Sequence, residues 1–556
     1  MPQMSIDRSR LARVAASLAT ALALLPLSQA SATPTEIRVG GPSAPADSKL
    51  AIVASDKDLR GQRFSATLAG KTVLSGRLKA AKGSPDPWRH AFVADLSELS
   101  DPGAYRLEAG GASSPPWIVQ ADGSAAGIEV ILDYLRTNRD GAEPARLHGP
   151  AHLNDAALPD GSPIPISGGW MDAGDMIHFT QTTAATVVLL ETAARFSPAR
   201  ASALREESDV GVRWLLRAHP EPGLFIAQVG DARDHEQGFR DPAADDASAE
   251  PGIGTRVAYP GVGGDTAGKT AAALALVADR SPEPLRAQLL GAAREWYAAG
   301  LAAAAPLGPL GGRSGGFYLT GSWEDDMAGG AAALYRSTAE PAFLEQAEDF
   351  LRNARYEAGI DPYSFSTFAA AELCGALGAP AASAGSARDF GCEVLADTGR
   401  FAAKVSRRTA FATPGEFTWG QTRLNANAGT AAALAERAGL LPGGEAIAAS
   451  ARDYLLGRNP WGRSFVAGYG QKPAREIHHW AVALAGDGEP RGAVVGGPAP
   501  ADQVKEQGFR AKIRKFARYD SRRAVYEDHR PNYVTSEPTI DYSAATILML
   551  AVVASG

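Results

Sequence analysis

The chain has 556 residues, of which 45% are hydrophobic and 21% are charged, and its formal net charge is −7. This composition is typical of a folded globular protein, and the length allows more than one domain. An acidic chain has no electrostatic attraction to nucleic acid or to an anionic membrane, so we expect neither as a partner.

The first 32 residues have the pattern of a signal peptide. Arg8, Arg10 and Arg13 precede an apolar run over residues 14–27, and small residues follow up to Ala32. This order is typical of a cleaved export signal. A membrane anchor is the alternative, but the run is shorter than the ~20 residues that span a bilayer. We therefore expect export to the periplasm or the medium.

Residues 33–120 predict a small β-sandwich. Seven short β-rich pieces alternate there with turn residues at a spacing of about ten residues, which is typical of such a fold. The pieces read EIRVGG, KLAIVAS, RFSATLAG, TVLSGRL, HAFVADLS, AYRLEAG and PWIVQ.

Residues 121–556 predict a helical domain, because apolar residues recur at three- and four-residue spacing between breaks rich in Gly and Pro. No strand pattern alternates with these segments, which disfavours a parallel α/β sheet. Twelve helices form six hairpins, the number of a closed α/α barrel, whereas an open solenoid would require a fixed repeat that is not found. The predicted helices cover residues 124–138, 174–196, 200–219, 266–281, 284–303, 325–337, 341–355, 363–377, 386–406, 423–438, 443–456 and 541–555.

Four long insertions separate some of these helices, at residues 220–265, 305–324, 407–422 and 457–540. Loops of this length inside a compact domain are usually functional. We expect them to form the walls of a cleft at one end of the barrel.

Cys374 and Cys392 are the two cysteines of the chain. In an oxidising compartment they could form one disulfide, and otherwise they would be two buried thiols. The sequence leaves both alternatives open. In either case the fold depends on a packed core and not on a disulfide framework.

The segment GGWMDAGDMIHF places Asp172 and Asp175 beside a glycine turn and close to Trp170. Gly174 permits a tight turn, so both carboxylates can face one space. Two carboxylates that share one water can align it for attack, with one as general base and the other as its orienter. A helix N-cap and a calcium loop are the alternatives.

Glu537 lies near the end of the chain, between Tyr533 and Tyr542. Aromatic surroundings disfavour the charged carboxylate and raise its pKa, which suits a general acid. A surface glutamate near a helix start is the alternative. An acid, a base and aromatic surfaces together suit the hydrolysis of a glycosidic bond.

Histidines and loop aromatics are further candidates for sugar binding. His478 and His479 are adjacent and point in different directions, which disfavours a shared metal and favours hydrogen bonds to sugar hydroxyls. Because no HxH or HExxH spacing occurs, we expect no catalytic metal and no other cofactor. Aromatic sugar platforms are predicted at Trp170, Trp323, Trp419 and Tyr533.

Several motifs occur along the chain in a fixed order: GGWMDAGDMIHF, GGDTAGKTAAALALVA, YLLGRNPWGRSFVAGYG, GAVVGGPAPAD and YEDHRPNYVTSEPTIDYSAATI. They resemble, in the same order, the segments GGW-x-DAGD-x-x-KF, GSD-x-AGETAAALAAAS, LLGRNP-x-G-x-S-x-VTG-x-G, VGGPN and Y-x-D-x-x-x-x-Y-x-x-NE-x-x-IDYNA of glycoside hydrolase family 9. The stretch LSDPGAYRLEAG resembles the immunoglobulin-like module that precedes the catalytic domain in one branch of that family.

The resemblance implies an (α/α)6 barrel behind an immunoglobulin-like domain, and hydrolysis with inversion of anomeric configuration. It implies that Asp175 is the general base, that Asp172 holds the nucleophilic water, and that Glu537 is the general acid. His478 matches the substrate-binding histidine of the family. Structural calcium is often present in members with this module, and the acidic stretches 231–234 and 324–326 are candidate sites for it.

Three positions depart from the family pattern. His178, Trp480 and Ser536 stand where the family has a lysine, a sugar-binding arginine and an asparagine. The catalytic carboxylates are retained, so the departures concern the choice of sugar.

We therefore expect an exported, monomeric, inverting β-glycoside hydrolase that acts on soluble β-1,4-glucans or cello-oligosaccharides in the manner of an endoglucanase. An exo-acting β-glucosidase or exo-β-glucosaminidase is the alternative among enzymes. An inactive carbohydrate-binding protein is the alternative from another class.

Overall fold

The computed structural model describes residues 34–378, 385–509, 516–521 and 523–556. The predicted signal peptide, residues 1–32, lies outside the described residues. Strands prevail over residues 36–119, and helices prevail from residue 126 onward.

The N-terminal domain is the predicted β-sandwich, with all seven predicted strands and two additional strands of two residues each. One antiparallel sheet has the order β1-β2-β6-β5, and the other has the order β4-β3-β7-β8 with β9 paired to β7. The strands in this part of the described chain are β1 (Glu36–Arg38), β2 (Leu50–Ser55), β3 (Arg63–Leu68), β4 (Lys71–Arg77), β5 (Lys79–Ala80), β6 (His90–Asp95), β7 (Gly103–Ala109), β8 (Ala112–Ser113) and β9 (Trp117–Val119).

The core of the sandwich follows from the alternation of side chains along each strand. In β7, Tyr105, Leu107 and Ala109 are buried while the residues between them are exposed. They pack with Phe64 and Phe92 between the two sheets. A period of two is what a strand with one buried face requires.

Among its described residues, the helical domain contains twelve helices that match the predicted ones, and four short helices that lie in the insertions. No helix in the described ranges is long and apolar enough to cross a membrane. The helices are α1 (Ala126–Thr137), α2 (Thr180–Phe196), α3 (Ala201–Arg217), α4 (Arg233–Gln237), α5 (Gly264–Ala278), α6 (Leu285–Ala303), α7 (Glu324–Thr338), α8 (Pro341–Asn353), α9 (Ser366–Cys374), α10 (Ser386–Ser406), α11 (Gln421–Arg437), α12 (Gly444–Leu455), α13 (Val482–Ala485), α14 (Ala501–Glu506), α15 (Tyr533–Ser536) and α16 (Ile540–Ala554).

The twelve barrel helices form two layers. The inner helices α2, α5, α7, α9, α11 and α16 are buried on nearly all sides, whereas α1, α3, α6, α8, α10 and α12 bury one face. The last helix, α16, packs against both α2 and α11 and so closes the ring. This arrangement is the predicted (α/α)6 barrel.

Small residues allow the inner helices to approach each other closely. A Cβ on Gly268 in α5 would lie 2.3 Å from the carbonyl oxygen of Asp326 in α7. A Cβ on Gly330 would lie 2.8 Å from the carbonyl oxygen of Gly268. Only glycine fits at such an approach of two backbones, so these positions fix the spacing of α5 and α7.

Two local features differ from the expectation. Helix α2 begins at Thr180 and not at residue 174, because the preceding residues form a loop and a strand. A three-stranded antiparallel sheet, made of β10 (His178–Phe179), β11 (Ile226–Val229) and β12 (Ala258–Pro260), lies in the helical domain. Strands this short carry too few residues to show a two-residue alternation in the sequence.

Cys374 and Cys392 form a disulfide between the end of α9 and helix α10. Their Cα atoms lie 4.7 Å apart, which is within the range of disulfides. Of the two alternatives that the sequence leaves open, the structure has the disulfide.

The sandwich is docked against the helical domain through an aromatic and cationic contact. The Trp88 ring, which is buried, lies 5.6 Å from the ring of Tyr519. The Arg38 guanidinium stands over the Tyr519 ring and donates to the carbonyl oxygen of Pro460 at 3.1 Å. Both Pro460 and Tyr519 belong to the insertion 457–540, so the sandwich supports the segment that leads to Glu537.

Candidate active site

The loop that carries Asp172 and Asp175 is locked against the insertion 457–540. A Cβ on Gly174 would lie 2.3 Å from the carbonyl oxygen of His478. The Trp480 backbone N–H donates to the Gly174 carbonyl at 3.0 Å. The close approach of two backbones therefore requires the glycine of the D-A-G-D turn.

Glu537 reaches the same loop from the other end of the chain. Its Oε1 accepts a hydrogen bond from the Gly174 backbone N–H at 3.3 Å. The Ile540 backbone N–H, at the start of α16, donates to the Asp172 carbonyl at 2.9 Å. The return of α16 to α2 thus brings Glu537 beside the loop of Asp172 and Asp175.

Glu537 has the properties of a general acid. Burial raises the pKa of its carboxyl to about 8, and the neighbouring Asp175 carboxylate acts in the same direction. The carboxyl therefore keeps its proton at neutral pH. Because the residue is only partly buried, the proton can be passed to a bound group.

Asp175 forms an ion pair with His235. The His235 Nε2 lies 2.7 Å from Asp175 Oδ2, and the hydrogen bond between them raises the pKa of His235 to about 9. At neutral pH His235 is therefore an imidazolium. Asp175 Oδ1 accepts a hydrogen bond from the Ile177 backbone N–H at 3.0 Å, which fixes its orientation. An ionised, oriented carboxylate is what a general base requires.

Asp172 has a different environment. The side chain is buried, and the Tyr318 hydroxyl donates to its Oδ2. Burial raises the pKa of Asp172 well above its ordinary value, and the nearby Asp541 carboxylate adds to the effect. Among the described residues, no cationic side chain pairs with Asp172 as His235 pairs with Asp175. This contrast is consistent with the roles that the resemblance implies, in which Asp175 accepts a proton from the water and Asp172 orients that water.

His235 and Tyr318 come from two different insertions that contact each other. Arg313, in the second insertion, pairs with Glu236 in the first. The ring of Phe317 lies 5.5 Å from the ring of His235. The two insertions therefore act as one wall that supplies a partner to each aspartate.

We expect the substitution Tyr318→Phe to lower kcat for oligosaccharide hydrolysis by about 10- to 100-fold, because a hydrogen bond to a charged or strongly polarised group contributes roughly 1.5–3 kcal/mol. KM should change little, since the lost contact orients Asp172 and does not touch the sugar. Steady-state kinetics tests this, with Tyr356→Phe on the exposed surface as the matched control. An unchanged kcat would contradict the role of Tyr318.

A buried network of charges supports the aspartate loop from behind. Arg256 pairs with Asp140 at 2.9 Å and also donates to the carbonyl of Met176, which follows Asp175. The His178 Nε2 lies 2.9 Å from the same Asp140 carboxylate. His178, which replaces the lysine of the family pattern, therefore still joins the loop to a carboxylate.

Four aromatic side chains form a continuous row beside Glu537, which we call the aromatic row. In order they are Phe239, His478, Tyr533 and Trp419, with ring centroids 4.9, 5.7 and 5.6 Å apart. The Tyr533 carbonyl accepts a hydrogen bond from the Glu537 backbone N–H at 3.0 Å. The Trp419 ring is 36% exposed at the far end. The structure thus brings together three of the predicted sugar-binding residues, His478, Tyr533 and Trp419.

His478 is held as a neutral imidazole with one nitrogen available. Its Nδ1 lies 2.8 Å from the Arg530 carbonyl oxygen, which can only accept, so Nδ1 carries the hydrogen. Burial lowers the pKa of His478. The Nε2 atom is then an acceptor for a sugar hydroxyl.

His479 has a structural role, which corrects its predicted role in substrate binding. The ring is fully buried, with Nδ1 accepting from the Ala481 backbone N–H and Nε2 3.0 Å from the Asn138 side-chain oxygen. Asn138 in turn donates to the Met171 carbonyl at 3.0 Å. His479 therefore fixes the residue next to Asp172 and presents no face to a ligand.

The predicted platform Trp170 is corrected to a packing residue, whereas Trp323 is partly buried and its predicted role stays a prediction. The Trp170 ring is fully buried, and its Nε1 donates to Glu207 at 2.8 Å. The Trp323 ring lies 5.5 Å from the ring of Phe350 and covers Gly264 at the start of α5. A sugar platform requires an accessible ring face, and a loop position in the sequence does not guarantee one.

A second polar group lies beyond Asp172. The Arg423 guanidinium pairs with Asp361 at 2.6 Å and stands 4.6 Å from the centre of the Tyr363 ring. That ring is 5.9 Å from the ring of Tyr318 and 39% exposed. Burial raises the pKa of Asp541, next to Asp172, to about 6. Aromatic and charged groups therefore border the carboxylates on this side as well.

The acidic stretches proposed for calcium are engaged by protein groups. Asp231 accepts from the Tyr259 hydroxyl at 2.7 Å, and Asp326 pairs with Lys269 at 2.7 Å. Asp325 accepts hydrogen bonds from the Ser364 hydroxyl and the Phe365 backbone N–H. Across the described part of the chain, no group of three or more His, Cys, Asp or Glu side chains is arranged to hold a metal ion.

Sequence reasoning missed His235, Tyr318 and Arg423. The first two lie in insertions that are expected to line a cleft. The length of an insertion indicates that the segment is functional, but it does not indicate which residue in it contacts the aspartates. Arg423 lies at the start of a regular helix, where nothing in the spacing marks it.

Two family models match the chain. The model of glycosyl hydrolase family 9 matches residues 128–550, and the model of the cellulase N-terminal ig-like domain matches residues 44–114. Among curated proteins, Endoglucanase 14 of Arabidopsis thaliana is 27% identical over 484 residues, which covers 76% of this chain and 92% of the relative.

Solved structures are similar over nearly the whole chain. A metagenome-derived glycoside hydrolase family 9 endoglucanase superposes with a TM-score of 0.79 at 22% identity, covering 94% of this chain and 99% of its own. AaCel9A in complex with cellobiose-like isofagomine has a TM-score of 0.79 at 23% identity, with coverages of 94% and 100%. At these identities the likeness supports the fold.

Proposed function

Since the chain belongs to glycoside hydrolase family 9, we propose that it is an exported inverting hydrolase that cleaves β-1,4-glucosidic bonds in soluble glucans or cello-oligosaccharides, in the manner of an endoglucanase. The observation that carries the assignment is the pair of carboxyl groups at Gly174. Glu537 holds a proton there, while Asp175 is paired with the His235 imidazolium.

The chemistry follows from these two protonation states. Glu537 donates its proton to the glycosidic oxygen as the bond from that oxygen to the anomeric carbon breaks. Asp175 accepts a proton from a water molecule whose oxygen attacks the same carbon from the opposite face, with Asp172 orienting the water. Attack from the opposite face inverts the anomeric configuration.

The proposed substrate class is supported by charge and by the relatives. The aromatic row and the neutral His478 suit uncharged sugar rings and hydroxyl groups. The similar curated proteins are named endoglucanases, and one similar structure holds a cellobiose-like ligand. The products released from defined cello-oligosaccharides test the proposal, because an endo-acting enzyme releases mixed lengths from the first time point.

Exo-cleavage of short oligosaccharides, glucosamine oligomers included, is the second candidate, and one observation favours it. Phe239 lies edge-on against His478 at 4.9 Å, and Trp480 is buried where the family pattern has a sugar-binding arginine. Phe239 is thus the last ring at one end of the aromatic row, and it packs against the cluster that contains Trp480. Release of monomer alone from the first time point, from either oligomer series, would replace the endo-acting proposal.

The presence of Asp172, Asp175 and Glu537 at the positions of the family motifs argues against the alternative of an inactive binding protein. Sugar binding by the wild-type protein without hydrolysis of any β-glucan would revive that alternative.

The pH dependence of kcat/KM should have an alkaline limb near pH 8. The general acid is active only when protonated, and the pKa of Glu537 is raised to about 8, so activity should fall tenfold per pH unit above that value. Rates measured between pH 4 and 10 on a soluble glucan test this. An alkaline limb near pH 5 would show that Glu537 is ionised in the free enzyme.

Export is proposed from two features. The first 32 residues have the pattern of a signal peptide, and the Cys374–Cys392 disulfide is typical of an oxidising compartment. Fractionation of cells that express the full chain, with N-terminal sequencing of the mature protein, tests the proposal. We propose a monomer, to be checked by light scattering of the purified protein.

A further inference from the structure

A cavity of about 570 Å³ lies in the helical domain, outside the catalytic loop and beside the segment 408–410 that is hydrogen-bonded to the sandwich. We call it the junction pocket. Its walls come from the end of α10, from the segment 413–417 and from the start of α14. Its lining includes Arg408, Glu416, Phe417, Asp502 and Arg523.

The junction pocket is connected to the aromatic row through the segment that carries Trp419. Phe417, which lines the pocket, precedes Trp419 by two residues. The Trp419 backbone N–H donates at 2.8 Å to the side chain of Gln503, which follows the lining residue Asp502 on α14. Glu537, Tyr533 and Trp419 thus follow one another, and two segments that line the pocket contact or contain the neighbours of Trp419.

The sandwich holds one wall of the junction pocket. The Ser84 backbone N–H donates to the Arg408 carbonyl at 2.9 Å, and the Ala410 backbone N–H donates to the Ser84 carbonyl at 2.8 Å. A Cβ on Gly83 would lie 2.6 Å from the Arg407 carbonyl oxygen, so the two backbones meet without a side chain between them. The backbone that carries Arg408 is therefore fixed from outside the barrel.

The chemistry of the lining suits a neutral polyhydroxylated ligand. Two arginines, Arg408 and Arg523, are balanced by Glu416 and Asp502, so the formal charge of these four is zero. Arg408 is paired with Glu416 at 2.6 Å, whereas the exposed guanidinium of Arg523 has no ion pair or hydrogen bond with any residue that the structure describes. Phe417 adds an apolar surface. Charged donors and acceptors around an aromatic ring match sugar hydroxyls and a sugar face.

We propose that the junction pocket is a distal carbohydrate site, which binds the part of a β-1,4-glucan chain that extends past Trp419. The inference rests on the proposed function and deepens it, because it makes the enzyme favour long chains over short ones. A short oligosaccharide occupies the aromatic row and the catalytic carboxyls without reaching the pocket. A polymer reaches both.

The test compares substrates of two lengths. The double variant Arg408→Ala/Arg523→Ala removes the cationic donors, and Asp502→Trp fills the cavity from an exposed position. We expect kcat/KM on a soluble β-1,4-glucan polymer to fall about 5- to 10-fold in both variants, as the loss of one or two hydrogen bonds to charged groups predicts. The value on cellotetraose should change less than about twofold. Arg400→Ala, on the exposed surface of α10, is the matched control.

Two results would overturn the proposal: an unchanged value on the polymer, or an equal loss on polymer and cellotetraose. Affinity electrophoresis in gels that contain the polymer separates this test from the proposed function, because it needs no hydrolysis. If the wild-type enzyme releases no sugar from any β-glucan, the proposed function fails. The distal site then stands only if the polymer retards the wild type and the Arg400 control more than the two pocket variants.

Discussion

The substitution Glu537→Gln should lower kcat on cello-oligosaccharides by about 10²- to 10⁴-fold, the range that a general acid contributes. Glutamine keeps the size of the side chain and can still meet the Gly174 backbone, but it holds no acidic proton for the leaving oxygen. Binding of the oligosaccharide should persist. Reducing-sugar assays measure the loss, and calorimetric titration of the variant with the same oligosaccharide measures the binding.

An activated substrate provides the control for that result. A dinitrophenyl cellobioside has a leaving group that departs without a proton, so Glu537→Gln should hydrolyse it at a rate close to that of the wild type. If both substrates lose activity equally, Glu537 does not act as the acid.

The same variant should also change the pH dependence of stability. The native carboxyl, with a pKa of about 8, keeps its proton over a range in which the unfolded chain, with an ordinary value near 4.5, releases it. This contribution is fully present below about pH 4.5 and is lost as the pH rises toward 8. The Tm of Glu537→Gln should therefore exceed that of the wild type by a few degrees at pH 8, and the difference should vanish at pH 4.5.

The substitution Asp175→Asn should lower kcat on cello-oligosaccharides by a similar factor, about 10²- to 10⁴-fold. A substrate with an activated leaving group should not restore the activity. The water still needs a base, whichever group departs. This difference in response to the leaving group separates the base from the acid. Asp397→Asn, an exposed aspartate on α10, is the matched control and should retain full activity.

A second readout of Asp175→Asn follows from the ion pair with His235. The hydrogen bond to Asp175 is the main cause that raises the pKa of His235 to about 9. Without the carboxylate this value should fall toward the ordinary range near 6.5. Proton NMR of the imidazole over a pH titration measures it. A pKa that stays near 9 in the variant would show that another group holds the charge.

The architecture could be predicted from the sequence because each element repeats a simple pattern many times. Segments such as 540–554 carry apolar residues at helical spacing over several turns, and the strands of the sandwich alternate in and out. The short strands β10 to β12 escaped prediction because two to four residues do not establish a period.

The sequence marks the candidate catalytic carboxyls because they lie in long motifs, whereas it does not mark their partners. His235 and Tyr318 reach the aspartates only when two distant insertions fold against each other. Neither insertion has a local pattern that states where its tip will lie. The surroundings of Asp175 and Asp172 differ because of those tips, so this difference depends on tertiary contacts.

The adjacent histidines illustrate the same limit at shorter range. His478 and His479 differ by one position, yet one ring borders the aromatic row and the other is fully buried. The conformation of a long loop decides which ring faces the cleft. The sequence by itself predicts sugar binding for both histidines.

The contact between the two insertions has a consequence for exchanging loops between related enzymes. The Gln228 side chain donates to the Ser314 carbonyl at 2.8 Å, and Arg313 pairs with Glu236. Each insertion is therefore held in its conformation partly by contacts with the other. Replacing one insertion by that of a relative would remove the contacts that hold the other insertion in place. Chimeras with altered sugar preference should therefore carry both insertions from the same donor, as a single transplanted unit.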